Sequence, residues 1–426
     1  MASILMSAMP FAGHVAPVAA VARELVRRGH DVRVHTGSAY ATTFADAGAT
    51  PVPWRHARDF DERDLAATFP RLRDRKGARQ MIANVQALFL GTAAGQCADL
   101  HDEFRRRPWD LVAADSLALG ARFAAELSRR PRVALSVVPL AIPDRDAPPP
   151  FLGLDPLPGP VGRLRDAALW GALEVATTPL RRAYGRARRD AGLGPTPERL
   201  DEVWLGGDDV VASGVPALDR RESWPGLARF VGDIAWEPGG AVSPRPARLP
   251  DWWHDVRTAE VPVVHVTQGT YNVDPHDLIL PSVEALAGRD VLTVVGLAPR
   301  TPPLPGPLPA NARVATMLPY DELLPRTAVV VTNGGWGGVL AALRHGVPLV
   351  VAGGDLDKPE IAARVQRAGA GVNLRTGTPT ARQVRDGVGQ VLTHGRYAAA
   401  AARIGADLRA AGGAPAAADA IERHLP

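Results

Sequence analysis

Two short apolar runs, Ala328–Thr332 and Pro348–Ala352, bracket a glycine-rich turn and a segment of helix length. From Val329 to Val365 the chain reads VVVTNGGWGGVLAALRHGVPLVVAGGDLDKPEIAARV. A strand, a tight turn, a helix and a second strand in that order specify a parallel α/β unit. The turn Asn333-Gly334-Gly335 opens the helix. Glycine lets backbone come close to a ligand there, and the free N–H groups at a helix start favour a phosphate. The second strand runs into the polar, acidic loop Gly353–Lys358, which is suited to reading hydroxyl groups. An ordinary crossover with glycines placed for packing has the same local pattern, so the rest of the chain must decide.

A chain of 426 residues is long for one domain and natural for two. With 46% hydrophobic and 22% charged residues it has the composition of a globular protein with ample core. No apolar run reaches the roughly 20 residues of a membrane span. The start lacks a basic segment and Ile4–Met9 looks like a first strand, so a signal peptide is not expected and the expected location is the cytoplasm. The single Cys97 excludes an intrachain disulfide and a cysteine-based zinc cluster. The net charge of +4 comes from arginines scattered among acids, and aromatics are only 5%. A nucleic-acid surface needs clustered base and more stacking rings.

Alternating strands and helices recur throughout. The first half opens with strand Ser3–Met9, loop Pro10–Val15, helix Ala16–Arg28 and strand Asp31–Thr36. A long helical region spans Ala78–Arg107, followed by strand Leu111–Ala114, helix Leu117–Leu127 and strand Val133–Val137. Prolines crowd the excursion Pro143–Pro160, helices fill Val161–Ala191, and strand Asp209–Ala212 and segment Phe230–Ile234 close the half. Residues 236–249 have linker composition. The second half carries strand Pro262–Thr267, helix His276–Ala287, strands Val291–Val295 and Ala312–Thr316, short helix Tyr320–Leu324, and the unit described first. Helix Thr380–Leu392 and the alanine-rich Tyr397–Arg423 end the chain. The pattern predicts two doubly wound, Rossmann-like parallel sheets facing a cleft: residues 1–235, and residues 250–405.

Four strand ends carry candidate chemistry. His14, between the first strand and first helix, is placed to abstract a proton, because neutral imidazole titrates near pH 7; a loop or capping histidine is the alternative. Asp115, after strand Leu111–Ala114, is placed either to orient His14 or to cap the next helix. Thr267-Gln268-Gly269-Thr270 offers hydroxyls and a glycine to phosphate or sugar oxygens. Met317-Leu318-Pro319 is an extended segment able to present backbone groups to a base. Trp336 is either a nucleotide contact or a packing residue, and Trp252-Trp253-His254 is expected to pack an interdomain helix.

Together these positions resemble the nucleotide-sugar-dependent glycosyltransferases of family 1, with the GT-B fold, and among them the bacterial macrolide and antibiotic enzymes. The resemblance spans nearly the whole chain. That family's glycine-rich pattern, HCGWNS or HGG in bacterial members, aligns on Asn333-Gly334-Gly335-Trp336-Gly337-Gly338. Its Asp-Gln pair falls on Asp357-Lys358, and HGVPLVV, His345 to Val351, matches the connecting segment. The resemblance implies an acceptor site in the first half and a donor site in the second, with residues 406–426 forming a helix packed back on the first half. It implies His14 as general base and Asp115 as its partner. Thr267, Gly269, Thr270, Asn333, Gly334, Gly335, Trp336, Gly337 and Gly338 would surround the donor, Met317 would meet the base, and Asp357 and Lys358 would read the sugar. The implied reaction is an inverting transfer from a UDP- or dTDP-sugar to a small hydrophobic hydroxylated acceptor, with no metal and no cofactor beyond the nucleotide sugar as co-substrate. A homodimer is compatible with it.

Three positions depart from the family pattern. Asn333 stands for histidine, Ala341 for the ribose-binding glutamate of plant members, and Lys358 for glutamine. Two other classes fit the same architecture: a catalytically silent nucleotide-sugar-binding or partner-activating protein, and a nucleotide-sugar epimerase, which would need more carboxylates and histidines around the cleft.

Overall fold

The structure is a computed structural model and describes residues 1–73, 77–144, 147–200, 202–219, 228–235, 249–269 and 272–426. The expected linker at 236–249 falls almost wholly outside these.

The first sheet contains β1 (Ser3–Ser7), β2 (Asp31–Thr36), β3 (Thr50–Pro53), β4 (Leu111–Asp115), β5 (Arg132–Ser136), β6 (Asp209–Ala212) and β7 (Ala228–Phe230), in the order β3-β2-β1-β4-β5-β6-β7. The second contains β8 (Val263–Thr267), β9 (Leu292–Gly296), β10 (Ala312–Ala315), β11 (Thr327–Thr332), β12 (Leu349–Val351) and β13 (Gly371–Asn373), in the order β10-β9-β8-β11-β12-β13. Every pairing of these strands is parallel. Parallel strands covered on both faces read as unbroken apolar runs. In β1, Ile4 and Met6 join one core and Leu5 the opposite one. In β11, Val330 and its neighbours Val329 and Val331 divide in the same way.

The strand order reverses once in each sheet, between β1 and β4 and between β8 and β11. At such a switch point the connections leave in opposite directions and open a crevice beyond the carboxyl ends of the strands. His14 and Asp115 lie at the first switch point. Thr267, Thr332 and Asn333 lie at the second, where Thr267 and Thr332 are register partners.

Several expected boundaries move. The first helix begins at Ala12 rather than Ala16, so His14 sits in its first turn and not in a loop. Pro17 is tolerated inside it because proline there removes only the bond to Gly13, while the Phe11 carbonyl accepts N–H from both His14 and Val15 at 2.9 and 2.8 Å. The Ala78–Arg107 region is helical from Gly77 to Arg106 with a π-helical stretch at Val85–Leu90. The Tyr397–Arg423 segment breaks at Gly412, whose φ of 92° suits glycine, into helices Arg396–Ala410 and Gly413–Glu422. The last helix buries Ala414, Ala417, Ala418 and Ile421 with Ile4, Val18 and Leu25 of the first half. Trp253 is buried with Val263, Leu292 and Leu323, inside the second half's own core and not between the halves.

The halves touch at several places. Gly153, from the proline-rich excursion, lies so close to the Lys358–Arg367 helix that a Cβ there would meet the Pro359 carbonyl oxygen at 2.7 Å. From that helix the buried Arg364 guanidinium reaches Asp219 and donates to the Leu140 carbonyl at 2.7 Å. No helix among the described residues is long and apolar enough to cross a membrane.

Candidate active site at the facing switch points

The first helix has no side-chain cap at Phe11. Instead, both oxygens of Glu62 accept the Ala12 N–H, at 3.1 and 3.2 Å, and the Tyr40 hydroxyl donates to the same carboxylate. A carboxylate at a helix start satisfies an orphan donor and opposes the positive dipole end. This clamp fixes the turn from which His14 projects. Neither residue carries a local signal in the sequence, because the contact joins segments far apart in the chain.

His14 Nδ1 lies 2.8 Å from Asp115 Oδ2, with the histidine side chain 14% exposed and the aspartate fully buried. Asp115 Oδ2 also accepts the Met9 N–H at 3.2 Å, and Oδ1 accepts the Leu117 N–H at 3.0 Å. A carboxylate holding backbone donors is an acceptor, so Nδ1 carries the proton and Nε2 is left as the basic nitrogen. Asp115 is the last residue of β4, and the following helix starts at Leu119 behind Ala118, so the aspartate closes a turn and does not cap that helix.

Burial by itself would lower the His14 pKa. The charge and hydrogen bond of Asp115 outweigh it, with smaller help from Asp357 and Glu62, and the imidazole ends above its ordinary 6.5. The chain offers a contrast in His35, which lies 3.6 Å from Asp99 but is sealed in the core, where burial pushes its pKa down. Of these two pairs, the His14 pair has the accessible imidazole, with its side chain 14% exposed against 0% for His35. Phe11, with its ring 5.6 Å from His14, 5.4 Å from Phe60 and 6.1 Å from Phe89, gives the imidazole an apolar flank.

Across the cleft stands Asp357, the residue preceding the Lys358–Arg367 helix. Burial raises its carboxyl above the usual range, opposed by the charges of Lys358 and His14. Lys358 itself reaches back to Asp355 at 3.0 Å.

The second switch point is built from two matched turns. The Gly269 N–H points to the Thr267 hydroxyl at 3.4 Å, and the Gly334 N–H to the Thr332 hydroxyl at 3.2 Å. Both glycines have positive φ, 73° and 89°. The Asn333 side-chain amide donates to the Gln268 carbonyl, tying one turn to the other. One N–H of the Asn333 amide thus braces the two turns, and the Gly334 N–H faces its own Thr332 hydroxyl.

The free amides lie one step further on. Gly335, Gly337 and Gly338 are exposed, and a Cβ on any of them would meet nothing within 4 Å. Trp336, between them, turns inward. It is buried, and its ring comes so near Gly214 of the first half that a Cβ there would lie 2.9 Å away. Met317 is exposed beside the buried Leu318. Thr270 lies outside the described residues. Among the described residues no group of three or more His, Cys, Asp or Glu is placed to hold a metal ion.

Residues 281–422 match the family described as erythromycin biosynthesis protein CIII-like, C-terminal domain. Over 409 residues the chain is 38% identical to the 4'-demethylrebeccamycin synthase of Lentzea aerocolonigenes, covering 95% of this chain and 94% of that one. It is 31% identical over 425 residues to the UDP-glucosyltransferase A1 of Starmerella bombicola, covering 95% and 88%. In fold it is similar to the glycosyltransferase VinC, solved in complex with dTDP, with a TM-score of 0.67, 22% identity and 99% of each chain covered.

Proposed function

The chain belongs to the family 1 glycosyltransferases of the GT-B fold, and from that premise we propose that it is an inverting enzyme that moves a sugar from a UDP- or dTDP-sugar to a hydroxyl of a small apolar natural product, with His14 as general base. The acceptor oxygen attacks C1 of the donor sugar as its proton passes to His14 Nε2. The bond from C1 to the diphosphate oxygen breaks, and its electron pair leaves with the nucleoside diphosphate. One in-line displacement inverts the anomeric centre. Asp115 holds the imidazole in the needed tautomer and stabilises the imidazolium that forms.

The leaving diphosphate gains charge as the bond breaks. The N–H groups of Trp336, Gly337 and Gly338 open the Trp336–Arg344 helix, and the exposed glycines there leave room for close approach. Fixed donors at a helix start are suited to stabilising such a charge. Asp357 and Lys358 lie between this helix start and His14's side of the cleft, where the transferred sugar would be. The phenylalanines around His14 favour an apolar acceptor over a sugar or peptide.

The observation that carries the proposal is the tautomer imposed on His14 at one switch point, opposite a helix start at the other. The test is a transfer assay with α-configured UDP- and dTDP-sugars and a hydroxylated aromatic acceptor, with product configuration read by NMR. A β-linked product is expected, and His14→Ala should lose a hundredfold or more in rate, about what removing a general base costs. Donor binding should survive the substitution. Retained configuration, or near-native transfer by the variant, would overturn the mechanism. Phenolates and thiols are poor probes because they need no base.

A further inference from the structure

An apolar stripe and a basic stripe share one outward helical face in the first half. Helix Gly159–Ala176 buries only Gly162, Asp166 and Trp170, which lie four residues apart on one side. The other side carries Val161, Leu164, Ala168, Ala172 and Val175 at steps of three or four, all exposed. Val161, Leu164 and Val175 are 75%, 74% and 76% open to solvent. A surface helix ordinarily turns its apolar stripe to the core, and this one also shows a stripe to the outside.

Helical bonding carries on past the end of this helix. The Thr177 N–H donates to the Leu173 carbonyl at 2.8 Å, and the Arg181 N–H to the Thr177 carbonyl at 3.0 Å. Helix Thr178–Asp190 therefore continues the stripe in phase. It buries Leu180, Ala183, Tyr184 and Ala187, while Arg182, Arg186 and Arg189 stand exposed seven, eleven and fourteen residues beyond Val175. None of these three arginines is in an ion pair among the described residues. The nearby acids are used elsewhere, Asp166 by Arg165 and Glu174 by Arg199, and Asp190 is exposed at the very end. Residues 159–190 hold seven arginines against three acids, an excess as large as the +4 of the entire chain.

We propose that this helix pair docks on a bilayer of anionic lipid, with Val161, Leu164 and Val175 entering the headgroup–acyl boundary and Arg182, Arg186 and Arg189 meeting the lipid phosphates. Apolar burial and attraction of cations to anionic headgroups add in such an arrangement, and the helices lie on the membrane without crossing it. Arginine suits the second role because its stem can run along the acyl boundary while its head stays among the phosphates. The other occupants fit half of the face. A second copy of this chain brings the same arginines and no acids to meet them. A nucleic acid meets the arginines and leaves the apolar half in water. The face belongs to the half that carries His14, and on the acceptor reading above an apolar acceptor is itself concentrated in a bilayer.

The test is flotation of the full chain with vesicles of phosphatidylcholine alone and of phosphatidylcholine mixed in equal parts with phosphatidylglycerol. The protein should float with the mixed vesicles about tenfold or more better than with the neutral ones, and less as salt is raised. Two variants divide the face: Val161→Ser with Leu164→Ser and Val175→Ser, and Arg182→Gln with Arg186→Gln and Arg189→Gln. Each should bind the mixed vesicles about tenfold or more weakly, with thermal midpoint and UDP or dTDP affinity nearly unchanged because all six side chains are exposed. Removing the same charge from the second half, by Arg289→Gln with Arg385→Gln and Arg403→Gln, should leave flotation unaltered. The proposal is overturned if the unmodified protein floats with neither vesicle, if the serine variant floats as well as the parent, or if the second-half variant loses as much as the first-half one. It is also overturned if the parent is a dimer in solution that the serine variant dissolves, since the face then belongs to a second copy. Flotation needs no transfer, so its failure and that of the glycosyltransferase reading are separate results.

Discussion

His14 is held above the ordinary imidazole value because a buried carboxylate faces it, and that sets the pH at which it can act as a base. The base form is the neutral one, so kcat/KM should rise with pH along an acid limb centred above 6.5. Asp115→Asn removes the charge but not the burial, so the limb should move below its native position while turnover falls. An unmoved limb would mean that His14 is not the group that titrates. The effect on stability has the opposite sense. The protonated imidazole is the form favoured in the folded protein, so the pair's contribution is complete below 6.5 and fades as pH rises through the raised value. Asparagine has one acceptor oxygen for three donors, so the variant should also lose about 1 kcal/mol at low pH, measured by urea unfolding. The glycines make a second test. Gly335→Val places its side chain in open space at φ −62°, so the fold should be unaffected and UDP or dTDP affinity should drop at least tenfold. Gly334→Val, at φ 89° with Val351 2.9 Å from the new Cβ, should instead cost about 2 kcal/mol of stability. Equal behaviour of the two variants would show that the ligand does not approach at Gly335.

At the scale of elements, β1, β4, β8 and β11 were legible because strands covered on both faces must be apolar throughout. Their carboxyl ends, and with them His14, Asp115 and Thr267, followed from counting to the end of each run. The sequence predicts the first helix from Ala16, four residues after its start at Ala12. Gly13 and Pro17 argue locally against a helix there, and the clamp that overrides them comes from Glu62, fifty residues away. The resemblance implies that Asn333 lies at the donor, and no sequence pattern reveals that one of its two amide N–H groups is bonded to the Gln268 carbonyl. The short outer strands β3, with two prolines, and β13 lack the apolar run that announces a central strand. Glu62→Ala tests the clamp. It should lower stability by about 1 kcal/mol, the usual cost of a lost helix cap, and lower turnover along with it. A thermal midpoint that falls with no change in turnover would show that the clamp does not set His14.

At the scale of the molecule, the two reversals of strand order bring His14 and a helix start to opposite walls of one cleft, an arrangement no single motif specifies. The last helix returns to the first half, where Arg28 grips Asp419 and Glu422 at 2.6 Å and Ile421 is fully buried. Ile421→Ala should therefore cost about 3 kcal/mol, read as a fall in the thermal midpoint, while leaving nucleotide affinity nearly unchanged because the donor half is untouched. This return path also bears on how such a gene can be recombined. Exchanging the second half with that of a relative by one crossover near residue 249 would bring in a foreign tail. The buried alanines of Gly413–Glu422 would then be replaced by side chains shaped to another protein's core. A productive exchange needs two crossovers, with the codons after Gly412 kept from the parent that supplied the first, so that inheritance follows the packing and not the order of the chain.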